Sequence, residues 1–143
     1  MRILAENRRA KFDYDIKDTL VAGLALSGAE TKSVKNGNIS LSGSYVSVSP
    51  AGASLINCHI GPYKYALNEK YNPTQSRTLL LNKKEINRLI GKEKGLVIVP
   101  LEIFIAQRGW IKLKIGIGKA RKKRDKREVI KKREIQREIR KSF

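Results

Sequence analysis

Cysteine and histidine are almost missing. The 143 residues hold one of each, Cys58 and His59, side by side. A single thiol excludes an internal disulfide and gives no sign of a secreted disulfide framework. Two adjacent residues also fall short of the three or four ligands that zinc takes, and on a strand they point to opposite faces. His59 lacks the partner that catalysis needs, so it is expected to be a partly buried, hydrogen-bonded side chain. Long apolar runs are absent as well. No segment approaches the roughly 18 apolar residues of a membrane span, and the opening MRILAENRRAKF has no signal-peptide core, so residence in the cytoplasm is expected. No glycine-rich turn opens onto a helix to cradle a phosphate, since Gly116 and Gly118 fall in a strand pattern.

Acidic residues are scarce, 13 against 31 basic ones, which leaves a net charge of +18. Such a field draws phosphate-rich partners and opposes self-association, so a monomer is expected. Solubility alone takes far less charge. The last 26 residues, GKARKKRDKREVIKKREIQREIRKSF, carry thirteen basic and four acidic side chains and hold half of the net charge. They offer too few apolar groups to offset the entropy of ordering a chain, about 1 to 2 kcal/mol per residue. Their cationic helix pattern has no Trp, Phe or Leu face before Phe143, so no membrane role is expected. The chain reads as one domain, residues 1–117, followed by a basic tail, residues 118–143.

Within the first part, period-two apolar spacing over residues 19–27 predicts a strand. AETKSVKNG predicts a short helix over residues 29–35, with Asn36 and Gly37 placed for a left-handed cap. ISLSGSYVSVS and ASLINCHI alternate about a turn at Pro50 and Gly52, the pattern of a hairpin. Residues 63–77 have little periodicity and a break at Pro73, and read as a long loop. Asn82 and Glu85 form a capping-box spacing before a stripe of Ile86, Leu89 and Ile90 that Gly91 ends. The clearest hairpin follows: Ile103 and Ile105, a turn at Gln107, Arg108 and Gly109, then Ile111, Leu113, Ile115 and Ile117 on one face, with a bulge or edge at Pro100. Mostly antiparallel strands with short helices point to a small barrel of the oligonucleotide-binding type, with an open α+β sandwich as the alternative.

Chemistry is hard to find. Glu30 and Lys32 could act as acid and base, but any chain this charged contains such pairs, and neither an enzyme nor a cofactor is expected. Basic surface with aromatics is easier to find. Trp110, Lys112 and Lys114 share the strand face opposite the isoleucines, so Trp110 either stacks on a base beside two ammonium groups or merely covers the barrel end. ENRRAKFDY brings Arg8, Arg9 and Lys11 together with Phe12 and Tyr14, and is expected to lie against the barrel. In the tail, Glu128, Glu134 and Glu138 precede basic residues at helical spacings. The tail is therefore expected to be disordered or partly helical when free, and helical along a phosphate-rich groove.

Six segments, NRRAKFDY, GAETKSVKNG, HIGPY, RTLLLNKKEINRLIGK, KGLVIVPLEIF and DKREVIKKRE, occur in order over residues 7–134. Together they closely resemble the SsrA-binding protein family. The resemblance implies an oligonucleotide-binding-like barrel that grips the tRNA-like domain of transfer-messenger RNA. It also implies a tail that becomes helical in the empty messenger channel of a stalled ribosome, so that trans-translation can begin. The partners implied are transfer-messenger RNA, ribosomal RNA and elongation factor Tu with the aminoacylated RNA.

By the same resemblance, RNA-binding positions in the barrel are Asn7, Arg9 and Tyr14, then Glu30, Lys32 and Ser33, then Arg77 and Leu80, with Arg8, Lys35, Trp110 and Lys112 added from the pattern of basic and aromatic residues. In the tail it implies Lys119, Asp125, Lys126, Arg127, Ile130, Lys131 and Arg133, and the basic run between them adds Arg121, Lys122, Lys123 and Arg124. Val21 stands where the family usually has glutamate, Phe12 where histidine is common, and Thr78 where lysine precedes the leucines. Ala120 interrupts paired lysines, and Ile135 replaces a tryptophan of some members.

Overall fold

The computed structural model describes residues 2–66, 69–122 and 127. Chain order is β1 (Arg2–Glu6), α1 (Arg8–Asp13), β2 (Tyr14–Leu24), α2 (Gly28–Lys35), β3 (Ile39–Ser40), β4 (Tyr45–Ser49), β5 (Gly52–Ile56), β6 (His59–Ile60), β7 (Arg77–Leu80), α3 (Lys83–Ile90), β8 (Val97–Ile105) and β9 (Ile111–Ala120), with a 3-10 turn at Gln107–Gly109 between the last two strands. The main sheet has seven strands in the order β1-β8-β9-β2-β7-β5-β4, and β3 pairs with β6 apart from it. Every pairing is antiparallel. The far strand β4 packs back against β8, so the sheet is curled around its contents.

The curl has local causes. Ladders shift register between Ile3 and Ala5, between Ile16 and Asp18, and between Pro100 and Glu102. An extra residue on one strand bends and twists the pair. Proline at 100 lacks the N–H that a regular ladder would use there, as its place in the sequence predicts. Inside the curl, Ile111, Leu113, Ile115 and Ile117 of β9 meet Leu20, Ala22 and Leu24 of β2, Ile103 of β8, and Val34, Leu41, Leu55, Ile60 and Leu89 from the remaining elements. Each such side chain contributes about 1.5 to 3 kcal/mol when fully buried.

Helix α3 has both arms of its capping box, Asn82 Oδ1 accepting from the Glu85 amide at 2.8 Å and Glu85 Oε1 accepting from the Asn82 amide at 3.0 Å. Of its expected stripe only Leu89 is fully buried, while Ile90 is exposed. In α2 the left-handed residue is Gly37, and the Asn36 cap keeps negative φ. The hairpin expected over residues 39–60 is split in two. Gly43 and Asn57 both take positive φ and interrupt the ladder, and Asn57 Nδ2 donates to the Gly43 carbonyl at 3.2 Å.

Three further expectations change. Arg2–Glu6 and Arg77–Leu80 are strands, although neither segment has a strand pattern long enough to read alone. His59 is exposed, because β6 points Cys58's successor outward while Cys58 itself is fully buried. The sheet also runs past residue 117: Tyr14, Asp15 and Ile16 of β2 pair with Ala120, Lys119 and Gly118. At Gly118 a Cβ would lie 2.6 Å from the Asp15 carbonyl oxygen, so the two strands approach closely only because that position is glycine.

Candidate nucleic-acid interface

The register of the central strands assembles a cationic and aromatic cleft. Gly23 of β2 pairs with Leu80 of β7 on one side and with Lys112 of β9 on the other, and the next outward residue of β2, Val21, pairs with Lys114. Leu80, Trp110 and Val21 are exposed to 58%, 67% and 43%, an unusual amount of large apolar surface to leave in water. Gly23 carries no side chain, and the space over it belongs to a cleft of about 640 Å³ lined by Leu24, Thr31, Leu80, Arg108, Trp110 and Lys112 among others. Trp110 thus stands exposed at the mouth of this cleft.

The β8–β9 turn contributes Arg108 and Trp110. It is closed by the Ala106 amide donating to the Trp110 carbonyl at 2.8 Å. Arg108 has φ of 65° and Gly109 has φ of 80°. Glycine takes that region freely, but at Arg108 it costs roughly 1 to 2 kcal/mol. Lys35 at the end of α2 reaches the same turn: a Cβ on Gly109 would lie 3.4 Å from its Nζ. Among the described residues no carboxylate lies within ion-pair distance of Lys32, Lys35, Arg108 or Lys112.

The N-terminal residues are placed differently. Asn7 caps α1, accepting from the Ala10 amide at 3.2 Å, and its Nδ2 donates to the Pro100 carbonyl at 3.0 Å, so both ends of its side chain serve the fold. Tyr14 packs half-buried beside Ala10, Val99 and Leu101. Arg8 and Arg9 are exposed and lie 3.8 Å from Glu6 and 3.4 Å from Asp13. ENRRAKFDY does lie against the sheet, as a strand, a cap and a helix.

Glu30, Ser33 and Arg77, which the family resemblance places among the RNA-binding positions, are buried to 4%, 2% and 2% exposure. They form a clamp. Arg77 Nε and one terminal nitrogen donate to Glu30 Oε2 at 2.9 and 2.7 Å, the same terminal nitrogen reaches the Pro73 carbonyl at 2.9 Å, and the other donates to the Cys58 carbonyl. The Tyr71 hydroxyl accepts from Arg77 at 3.1 Å, and its one proton is shared between the Ile60 carbonyl at 2.8 Å and Glu30 Oε2 at 3.1 Å. Gln75 donates to Glu30 at 3.2 Å, and Ser33 Oγ donates to the Gly61 carbonyl at 2.5 Å. Burial alone would raise the Glu30 carboxyl, but the Arg77 bonds and charge, the Ser27 amide and the Tyr71 hydroxyl outweigh it and hold the group below its ordinary value. Burial pushes the Cys58 thiol up to about 11, and the neighbouring Arg77 only partly opposes this. The clamp ties α2, β6 and β7 to the long loop between Ile60 and Arg77.

Of the tail positions, Lys119 lies in β9, and the Arg121 amide donates to the Asp13 carbonyl at 2.8 Å. Lys122 and Arg127 are exposed. Lys123, Arg124, Asp125, Lys126, Ile130, Lys131 and Arg133, with the expectation of a disordered or helical tail, lie outside the described residues. The sequence reading missed Tyr63, Lys64 and Tyr65, which stand together on the long loop with Lys32. Their signal was the alternation of aromatic and basic residues in YKY.

Residues 4–143 match the family model described as SmpB protein. The chain is 46% identical over 143 residues to the SsrA-binding protein of Coprothermobacter proteolyticus, covering 98% of this chain and 95% of the relative. It is 45% identical over 143 residues to that of Elusimicrobium minutum, covering 99% and 90%. A chain in the solved structure described as "tmRNA-SmpB: a journey to the center of the bacterial ribosome" is 37% identical, with a TM-score of 0.67 over 87% of this chain and 92% of that one. On the match of its family model and on this similarity over nearly its whole length, the chain belongs to the SmpB, or SsrA-binding protein, family.

Proposed function

We propose that the protein is a non-catalytic adaptor that binds the tRNA-like domain of transfer-messenger RNA and delivers it to stalled ribosomes to begin trans-translation. The observation that carries this reading is the cleft of Trp110, Leu80, Arg108 and Lys112, which sets an exposed indole beside uncompensated cations over a glycine floor. Family membership supplies the identity of the RNA. An aromatic face stacks on an unpaired base and the cations take phosphates, a combination that binds folded RNA with looped-out nucleotides. Elongation factor Tu on the aminoacylated RNA is the further partner, the adaptor acts as a monomer, and the site of action is the cytoplasm. The basic tail enters the empty messenger channel and takes its order from the surrounding ribosomal RNA.

The barrel selects RNA and the tail reports the ribosome. The pairing of β9 with β2 as far as Ala120 supports placing the division between them a few residues beyond 117. Binding of the full chain and of a chain ending at Lys122 to a tRNA-like RNA over a range of salt tests the reading. The shorter chain keeps most of its selective affinity and loses activity on stalled ribosomes; loss of selective binding on removing the tail would overturn the division. In the full chain, Trp110→Ala weakens binding by about tenfold, the scale of one stacked base. Lys112→Ala lowers the slope of log affinity against log salt by about one.

A further inference from the structure

A second aromatic and cationic surface lies beside α2, apart from the Trp110 cleft. Tyr63 and Tyr65 meet edge to face, with ring centroids 5.3 Å apart and planes at 69°. Lys32 of α2 sits 5.6 Å from the Tyr63 ring, and Lys64 sits 4.7 Å from the Tyr65 ring. Tyr65 is 74% exposed, more than any other large hydrophobic side chain among the described residues. Helix α2 separates the two surfaces: Thr31 lines the Trp110 cleft, while Ser27, Ala29 and Glu30 line a smaller hollow of about 150 Å³ with Pro62, Tyr63 and Tyr71.

The turn that carries these rings is hydrogen-bonded to the body at its base. The Tyr63–Ala66 turn is closed by the Ala66 amide donating to the Tyr63 carbonyl at 2.9 Å. Its base is fixed from both sides, by Ser33 on Gly61, by the Ile60 amide on the Pro73 carbonyl at 3.0 Å, and by the Arg77 clamp behind. A Cβ on Gly61 would overlap the Asn38 side chain, so the loop is seated as closely on the body as glycine allows. Fixing an exposed ring in advance reduces the entropy lost when a flat partner lands on it.

We propose that Tyr65, with Tyr63, Lys32 and Lys64, is a second RNA contact that stacks an unpaired base of a single-stranded segment and neutralises its flanking phosphates. This rests on the reading of the protein as RNA-binding, and deepens it by assigning a second site of different substrate form. A protein partner with an acidic face is disfavoured because the exposed Tyr65 ring stands beside lysines, a pairing that suits every base and needs no particular side chain.

The test uses the full chain and two labelled RNAs, a folded tRNA-like RNA and a single-stranded oligoadenylate of about eight nucleotides, within the usual site size of such surfaces. Fluorescence anisotropy gives both affinities. Tyr65→Ala weakens oligoadenylate binding about tenfold, Tyr65→Phe restores it because the ring is kept, and Lys64→Gln lowers the salt slope by about one. Folded-RNA binding by Tyr65→Ala stays within about twofold of the parent, since Tyr65 lies outside the Trp110 cleft and distant sites act independently. Equal oligoadenylate affinity for Tyr65→Ala and parent overturns the proposal, as does a parent that does not bind the oligonucleotide. A parent that binds oligoadenylate through Tyr65 but not the folded RNA leaves this inference standing and strikes the proposed function instead.

Discussion

On the side of the molecule built from β1, α1 and the start of β2, cations and carboxylates are interleaved: Arg8 and Lys11 with Glu6, Arg9 with Asp13, Lys11 with Glu102, Lys17 with Asp15, and Arg88 with Asp18. Around α2 and the β8–β9 turn, Lys32, Lys35, Arg108 and Lys112 have no such partner among the described residues. A net charge of +18 counts both sides alike, but a phosphate responds only to the field that neighbouring carboxylates leave uncancelled. The exposed pairs of the first side are individually worth little stability, about 0 to 1 kcal/mol each, so their main consequence is electrostatic silence. Arg77 belongs to neither side, since its charge is enclosed and consumed by Glu30.

The largest effect is expected from opening that enclosure. Arg77→Ala leaves the buried Glu30 charge unpaired and destabilises the fold by about 3 to 5 kcal/mol, measured by urea denaturation, with Arg77→Lys a poor replacement because it cannot make the forked contact. A loss below 1 kcal/mol would mean that the clamp is not what joins the loop to the body. Acid strikes the same pair from the other partner. Since the folded-state carboxyl sits below its ordinary value, its contribution is fully present above about 4.5 and is lost as pH falls below that value. Thermal melts over this acid range should therefore show a steeper fall for the parent than for Glu30→Gln, whose lower stability changes less with pH. Parallel curves would assign acid sensitivity to other carboxylates.

The smallest expected effect sharpens the contrast between the two sides. Val21→Glu places a carboxylate across from Lys114 on the uncompensated face, converting one position there into the interleaved kind. Binding of transfer-messenger RNA should weaken by a few-fold, and its salt slope should fall by about one. An unchanged slope would show that Val21 lies outside the interface, and that its departure from the family's glutamate has no bearing on RNA.

Much of this was legible before the fold. The alternation of Ile111 through Ile117, the capping spacing of Asn82 and Glu85, the Gln107–Gly109 turn and the placement of Lys112 opposite the isoleucines follow from periods and caps that neighbours in sequence decide. That Trp110 and Lys112 share one face was legible because strand alternation puts residues two apart on the same side. The burial of Glu30 and Arg77 was not legible, because a charged side chain reads as exposed until its partner 47 positions away is known to close on it. Arg2–Glu6 and Arg77–Leu80 become strands only where β8 and β5 offer them a ladder, so no local pattern announces them.

The sequence alone determined the cationic excess, its concentration in the last 26 residues, the amphipathic strands and the family, because composition, short-range periodicity and ordered motifs need no contacts to be read. Tertiary structure decided which cations remain available. Pairing of Gly23 with Leu80 and Lys112, burial of Arg77 against Glu30, and the seating of Tyr63 and Tyr65 beside α2 all join residues far apart along the chain. A charge becomes a binding charge or a structural one according to the solvent and the counter-charge around it, and both are set by folding.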